Sequence, residues 1–355
     1  MIATAGEAAA ATKQHVRAYR TTVARRSAII VAALGLLIVM FTIDVLTGPA
    51  QLGIRQVLSA IASPVAGNPT THVIVWTLRL PMALMALVVG TALGAAGAEV
   101  QTILDNPIAD PYTLGLSASA GFGAATAILF GAWLPFDPAY AATIAAFCCS
   151  LVAGFVILAV ARRQATVETM VLTGIALLFL AQALLSLLQY LASPEALQTI
   201  VFWLFGSLAR ANWPKVAVVT AVLAVLLPVL SRDAWRLTAL RLGEERARSL
   251  GVNVPALRLR VFTVIALLTA VAVSFVGTIG FVGLVAPHVA RMLVGEDQRY
   301  LLPMSGICGA LFLSAASVVA KMVAPGALFP IGIVTSLIGV PFFFVLILRT
   351  RRGYW

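Results

Sequence analysis

"NPIADPYTLGLSASAGFG", residues 106–123, decides how this chain is read. Pro107 and Pro111 bracket a short acidic turn. From Ser117 to Ala125 every residue except Phe122 is then Gly, Ala or Ser. Proline stops a helix from continuing, and Asp105, Asn106 and Asp110 are residues that form Asx turns or cap helix starts. Small residues let helix backbones approach closely in lipid. The stretch therefore predicts a tight turn between two membrane helices, with the second packed centrally in a bundle.

Composition agrees with that reading. Of 355 residues, 61% are hydrophobic and 10% charged, and the mean hydropathy is +1.02. A soluble domain carries about 25% charged residues, so this much apolar surface needs lipid. A net charge of +11 would suggest nucleic acid in a soluble protein. Here the positions of the basic residues give another reason for it, and no nucleic-acid partner is expected. Cys148, Cys149 and Cys308 lie in apolar runs without metal-ligand spacing. They read as small membrane-buried hydrophobes, with no metal or cofactor expected.

Apolar runs long enough to cross a bilayer lie near 28–47, 79–99, 114–134, 139–161, 169–192, 215–231, 259–280, 301–320 and 328–348. A shorter piece, 281–294, is bounded by Gly280 and Gly295 and broken by Pro287. The expectation is an all-α, polytopic membrane protein of about ten transmembrane helices, with both termini on one side. Lys13, Arg17, Arg20, Arg25, Arg26, Arg162, Arg163, seven Arg between 232 and 260, Arg291, Arg299, Arg349, Arg351 and Arg352 share one side. They make up 19 of the 24 basic residues. That side is cytoplasmic by the positive-inside rule. Only Arg55, Arg79, Arg210, Lys215 and Lys321 fall opposite. The organisation expected is a basic cytoplasmic tail (1–27), one transmembrane domain (28–349) with its longest cytoplasmic loop at about 232–258, and a short cytoplasmic tail (350–355). The long n-region and the lack of an A-x-A site after "FTIDVLTGP" argue against a cleaved signal peptide.

The longer string "LRLPMALMALVVGTALGAAGAEVQTILDNPIADPYTLGLS" resembles the R-L-P-R … G-x-x-L-x-x-x-G-x-x-x-Q … N-P-L-A-x-P-x-x-L-G-I-S signature of FecCD-family permeases. These are membrane subunits of type II ATP-binding-cassette importers for iron–siderophore complexes, haem and cobalamin. "GTIGFVGLVAPHVARMLVGEDQRYLLP" and "FPIGIVTSLIGVPFFFVLILR" are similar to the family's second and third blocks, and all three stand in the family's order. In the first, Asn106, Pro107, Asp110, Pro111 and Gly115 carry the signature turn.

The resemblance implies a functional homodimer of ten-helix subunits, an ATPase dimer below, and a periplasmic or lipid-anchored substrate-binding protein above. Localisation would be the bacterial inner membrane. The chain would then have no catalytic site, in keeping with the absence of a phosphate-cradling G-x-x-x-x-G-K-[ST] from its sequence. "RLTALRLGEERARSLGVNV" is similar to the family's coupling segment, carried by Leu242, Gly243, Ala247, Leu250, Gly251 and Val252. Glu244 and Glu245 stand early and Arg246 and Arg248 late, an order that suits the helix dipole. By the same resemblance Arg79 and Lys321 are docking residues for the binding protein; by the residues alone they snorkel at the membrane edge. The family's second Arg is Met82 here. Thr166, Val167 and Glu168 match residues that narrow the inner mouth. Phe202, Trp203 and Gly206 match an outer half-helix near the dimer axis, where the plain reading of the aromatics is an interfacial belt. Glu99, near the inner end of a span, is a functional candidate by default, but the reading favoured is that it reaches the headgroups. His288 reads as a structural hydrogen-bonding residue.

The leading function is therefore the permease subunit of an ATP-driven importer of an iron chelate, siderophore or haem, with cobalamin as the alternative cargo. An ion-coupled secondary transporter would need acidic residues within several spans, and beyond Asp44 and Glu99 there are almost none. An intramembrane enzyme would need a catalytic pair within the bilayer, and the sequence offers none.

Overall fold

A computed structural model describes residues 5–48, 50, 52–62, 69–131, 138–163, 166–323 and 329–349. Among them there is no strand. The helices are α1 (Ala5–Leu46), α2 (Ile54–Ala62), α3 (Pro69–Val73), α4 (Leu80–Ile103), α5 (Leu116–Phe130), α6 (Pro138–Arg163), α7 (Val167–Leu191), α8 (Pro194–Leu204), α9 (Trp213–Arg232), α10 (Ala234–Leu240), α11 (Glu244–Ser249), α12 (Val254–Val276), α13 (Val282–Val294), α14 (Gln298–Val323) and α15 (Ile331–Arg349). A π-helical segment, Ile74–Arg79, joins α3 to α4 without a break. Seven described helices are long and apolar enough to cross a membrane. Three shorter apolar ones, Leu116–Phe130, Val282–Val294 and Ile331–Val345, accompany them. Together they correspond to the ten segments read from the sequence.

Two boundaries move. The expected basic tail is not separate from the first span, because α1 runs unbroken from Ala5 to Leu46. Its alanine-rich start favours helix, and no proline interrupts it. The second span starts at Pro69 rather than near 79. Helix starts follow the local chemistry. The side chains of Thr166, Ser193, Asn212 and Asn253 accept from backbone N–H groups at the starts of α7, α8, α9 and α12. The last three helices also carry proline in their first turn, where its missing N–H costs nothing.

The core is built on α4, α12 and α14, whose inner faces are almost wholly buried. Glycine sets the closest approach. A Cβ at Gly90 would stand 2.4 Å from the Gly309 carbonyl oxygen, and one at Gly97 would stand 1.9 Å from that of Gly283. Helix α4 therefore meets α14 and α13 backbone to backbone. The small-residue stretch in α5 is buried as expected, but its tight seam is with α6, where Gly123 lies against the Ala145 carbonyl.

Candidate functional site

Between α4 and α5 the signature turn has the predicted chemistry. Asn106 Oδ1 accepts from Ile108 N–H at 3.0 Å, and Asp110 Oδ1 accepts from Tyr112 N–H at 3.0 Å, two successive Asx turns. Thr113 Oγ1 accepts from Asp110 N–H and donates to Asp110 O at 2.7 Å. Gly115, at φ 78°, starts α5 in the left-handed region, and a Cβ there would lie 2.7 Å from Leu178 N on α7. Only glycine meets both demands. The caps differ from expectation in one respect: α5 has no side-chain N-cap.

This turn forms one wall of a cavity of about 740 Å³. Ile108, Asp110, Tyr112 and Thr113 line it from the turn, Leu204 and Phe205 from the end of α8, and Thr278, Gly280, Phe281 and Leu284 from the start of α13. Residues Gly332 to Pro341 of α15 close another side. Volumes of 300–1,000 Å³ are typical of small-molecule sites. Phe281 holds φ 69° in the cavity wall, unusual for a bulky residue. Gly339 of α15 gives its ring room, since a Cβ there would come within 2.5 Å of Phe281. Asp110 lies against Gly283 at the N-terminus of α13, with Oδ1 3.0 Å from where a Cβ would be. Burial pushes its carboxyl up to about 6.

The expected pathway residues are not the ones that line this cavity. Trp203 is buried among Ala120, Ala124, Ala146 and Val273, because the inner face of α8 packs on α5, α6 and α12. Phe202 is exposed. Gly206, at φ 69°, serves a backbone crossing: a Cβ would lie 2.6 Å from Thr278 O. Phe205 O accepts from Gly332 N, and Gly206 O from Ile331 N. The lining residues are the neighbours, Leu204 and Phe205. Thr166, Val167 and Glu168 form the first turn of α7, Thr166 Oγ1 accepting from Thr169 N–H at 3.2 Å. They lie outside the cavity lining.

At the basic end of the bundle, α10 and α11 form a braced ledge. Gly243 (φ 103°) and Gly251 (φ 82°) flank α11. Arg241 reaches Asp105 at 2.7 Å and Glu296 at 2.6 Å, so it ties the ledge to the signature turn and to the α13–α14 connection. Arg258 bridges to Glu244 at 3.0 Å and donates to Ile103 O. Asp233 is held by Arg236 and Arg260, each at 2.6 Å. Asp297, between α13 and α14, sits beside Arg299, which holds its carboxyl below the ordinary carboxylate range. On α11 the sequence reading of Ala247 as a contact residue needs correction. Its side chain is fully buried within the chain, in the same core as Val252, Val254 and Leu257. A six-residue helix lying on a core must turn one face inward, and Ala247 is on it. Leu242 and Leu250 are instead 55% and 52% exposed, on the outer side of the ledge.

At the opposite end Arg79 and Lys321 are not free rim charges. Arg79 is buried and donates to the Val45, Leu46 and Ala50 carbonyls. Lys321 Nζ donates to Asp44 Oδ1 at 2.6 Å and Asp44 O at 2.8 Å, and Ser317 Oγ donates to the same Oδ1. Both cations cap the C-terminal end of α1, where orphan carbonyls and the helix dipole favour positive charge. Sequence patterning missed this because the groups they cap, the Val45 and Leu46 carbonyls for Arg79 and Asp44 for Lys321, lie more than thirty residues away in the chain. Met82, in place of a second Arg, is buried in the core.

Glu99 does not reach the headgroups. Its carboxylate is fully buried, and neither oxygen has a hydrogen-bond partner among the described residues, since α4 is a central helix with neighbours on every face. His288 Nδ1 donates to Leu284 O at 2.9 Å, a local helical bond. Cys148 is exposed on the surface of the membrane-crossing helix α6, Cys149 is half-buried and Cys308 is buried within the chain. Among the described residues no group of His, Cys, Asp and Glu could hold a metal ion.

Residues 36–349 match the FecCD transport family. The chain is 39% identical to a cobalamin import system permease of Halobacterium salinarum, over 82% of this chain and 78% of that protein. It is 35% identical to a hemin transport system permease of Yersinia pestis, over 90% and 96%, and 36% identical to a molybdate import system permease of Haemophilus influenzae, over 84% and 88%. A solved structure of an inward-facing ABC transporter, assigned to the metal-chelate type, superposes with a TM-score of 0.81 at 32% identity, over 91% of this chain and all of that one. With its helical bundle and this match along nearly its whole length, the chain belongs to the FecCD transport family and is a membrane-spanning permease of an ABC importer.

Proposed function

We propose that this permease works as a two-fold homodimer in the bacterial inner membrane, with both termini cytoplasmic, and passes a metal chelate along a path that includes the cavity of about 740 Å³. An iron chelate, siderophore or haem, is the cargo favoured, with cobalamin the alternative. Support comes from the hemin and cobalamin permeases among its relatives and from the metal-chelate transporter it superposes on. Hydrolysis falls to a separate ATPase dimer seated on α11 and its flanks, and a binding protein delivers cargo to the opposite face. That face has to meet the binding protein with groups other than Arg79 and Lys321, both of which are consumed within the chain.

The observation that carries the reading is the ledge. It is pinned by Arg241 and Arg258, yet it offers Leu242 and Leu250 to the outside, the arrangement expected of a rigid contact that transmits force. Burying a leucine contributes about 1.5–3 kcal/mol. Leu242→Asp with Leu250→Asp should therefore weaken capture of the ATPase by at least about 100-fold, while the protein still inserts and keeps its thermal stability. Undiminished co-purification of the ATPase with this variant would refute the docking assignment.

A further inference from the structure

The polar side chains of the cavity share one property. Thr278 Oγ1 donates to Leu204 O, Ser336 Oγ donates to Gly332 O, and Thr113 Oγ1 donates to Asp110 O. A hydroxyl has one proton, and each of these three is already committed to a carbonyl, so each can only accept from a further ligand. Asp110 completes the set as a carboxylate, with one oxygen engaged by Tyr112 N–H and the other without a donor among the described residues. At neutral pH it is mostly ionised, since burial raises it only to about 6. Tyr112 contributes the one lining side-chain hydroxyl that is able to donate, and among the described lining residues there is no Lys, Arg or His. The remainder is apolar: Ile108, Leu204, Phe205, Phe281, Leu284, Ile333, Leu337 and Val340 take most of the wall. A single charge in such surroundings acts over longer range than it would in water.

We propose that this cavity selects by charge and hydrogen-bond sense, with Asp110 as the selecting group. It takes cargo that is neutral or cationic and rich in outward N–H and O–H donors, and it opposes anions. An amide- or hydroxyl-covered siderophore fits that description, whereas haem, with two propionate carboxylates, does not, so the cargo favoured above narrows to such a siderophore. A dianionic oxyanion, the cargo in the name of the Haemophilus influenzae relative, does not. In a two-fold dimer Asp110 would occur twice, which strengthens the bias. This assignment deepens the import reading and rests on the cavity being part of the path.

The test reads the cavity without transport, so its failure leaves the import reading standing, and loss of uptake would not bear on it. Cys148, Cys149 and Cys308 are replaced by Ala in the full chain, and Ile333→Cys places one thiol in the apolar lining. Labelling rates are measured with a cationic trimethylammonium-ethyl and an anionic sulfonatoethyl methanethiosulfonate, each normalised to its rate on free cysteine. The cationic reagent should be favoured about tenfold. Asp110→Asn should bring the ratio close to one, and Asp110→Glu should keep it. With Asp110 in place, raising salt from about 0.01 to 1 M should also shrink the preference, because the screening length falls from about 30 to 3 Å. A ratio that is unchanged in Asp110→Asn overturns the proposal. So does a ratio near one, insensitive to salt, in the chain that retains Asp110; that arm needs no variant at position 110.

Discussion

Lys321 and Asp44 meet 2.6 Å apart with their side chains 2% and 0% exposed, whereas at the other end Arg241 holds an Asp105 whose side chain is 80% exposed. Both are ion pairs between distant parts of the chain, but their energetics differ. The first has no water to fall back on. Its two ions exist in the interior only because each neutralises the other and because Ser317 and the end of α1 supply further hydrogen bonds. The second is a solvated clamp that can open and close at small cost. On the proposed reading the buried pair is a fixed frame where the first helix is anchored, and the solvated pair is a reversible linkage through which the ATPase's motion would enter. Arg241 is well placed for the latter, since Asp105 begins the turn that carries Asp110 into the cavity and Glu296 follows α13, whose N-cap residue Phe281 stands in the cavity wall.

The contrast is broken most severely by Asp44→Ala. A buried ammonium left without its anion costs about 3–5 kcal/mol, so the detergent-solubilised protein should lose most of its thermal stability. Replacing both partners, Asp44→Leu with Lys321→Met, should recover most of that loss, because an apolar pair in a buried site is often neutral or better. Equal damage from the single and the double variant would show that the ions act through something other than each other.

At the inner end Arg241→Ala should cost far less, about 0.5–2 kcal/mol, because two partly exposed carboxylates simply return to water. Its signature should be functional: the ratio of cargo moved to ATP hydrolysed should fall while ATPase capture through Leu242 and Leu250 persists, and Arg241→Lys should restore only part of it. A stability loss matching that of Asp44→Ala would erase the distinction between frame and linkage.

The parts of the molecule legible in sequence are those governed by local chemistry. The Asx turns at Asn106 and Asp110, the ten apolar segments and the polarity of α11 all follow from residues within a few positions of one another. What sequence did not yield depends on distant contacts. Ala247 and Leu250 are both apolar, and only the core beneath α11 decides which of them faces out. Arg79 looked like a rim charge until the end of α1 came within reach. In "FWLFG" the aromatic that lines the cavity is Phe205, while Trp203 is turned into the α5–α6–α12 interface, a rotation about α8 that its own sequence does not encode. Glu99 went astray for a related reason: nearness to a helix end predicts snorkelling only when that helix borders lipid, and α4 borders other helices.

Energy coupling is where ABC import is tested most directly. The permease should be reconstituted in proteoliposomes with and without an ATP-binding-cassette ATPase from the same transport system, together with its cargo-loaded binding protein, and uptake followed on adding ATP. Uptake should require both the ATPase and ATP, stop with a non-hydrolysable analogue, and be absent from the permease alone. ATP-driven uptake by the permease without its ATPase, or uptake driven by an ion gradient in the absence of ATP, would contradict it.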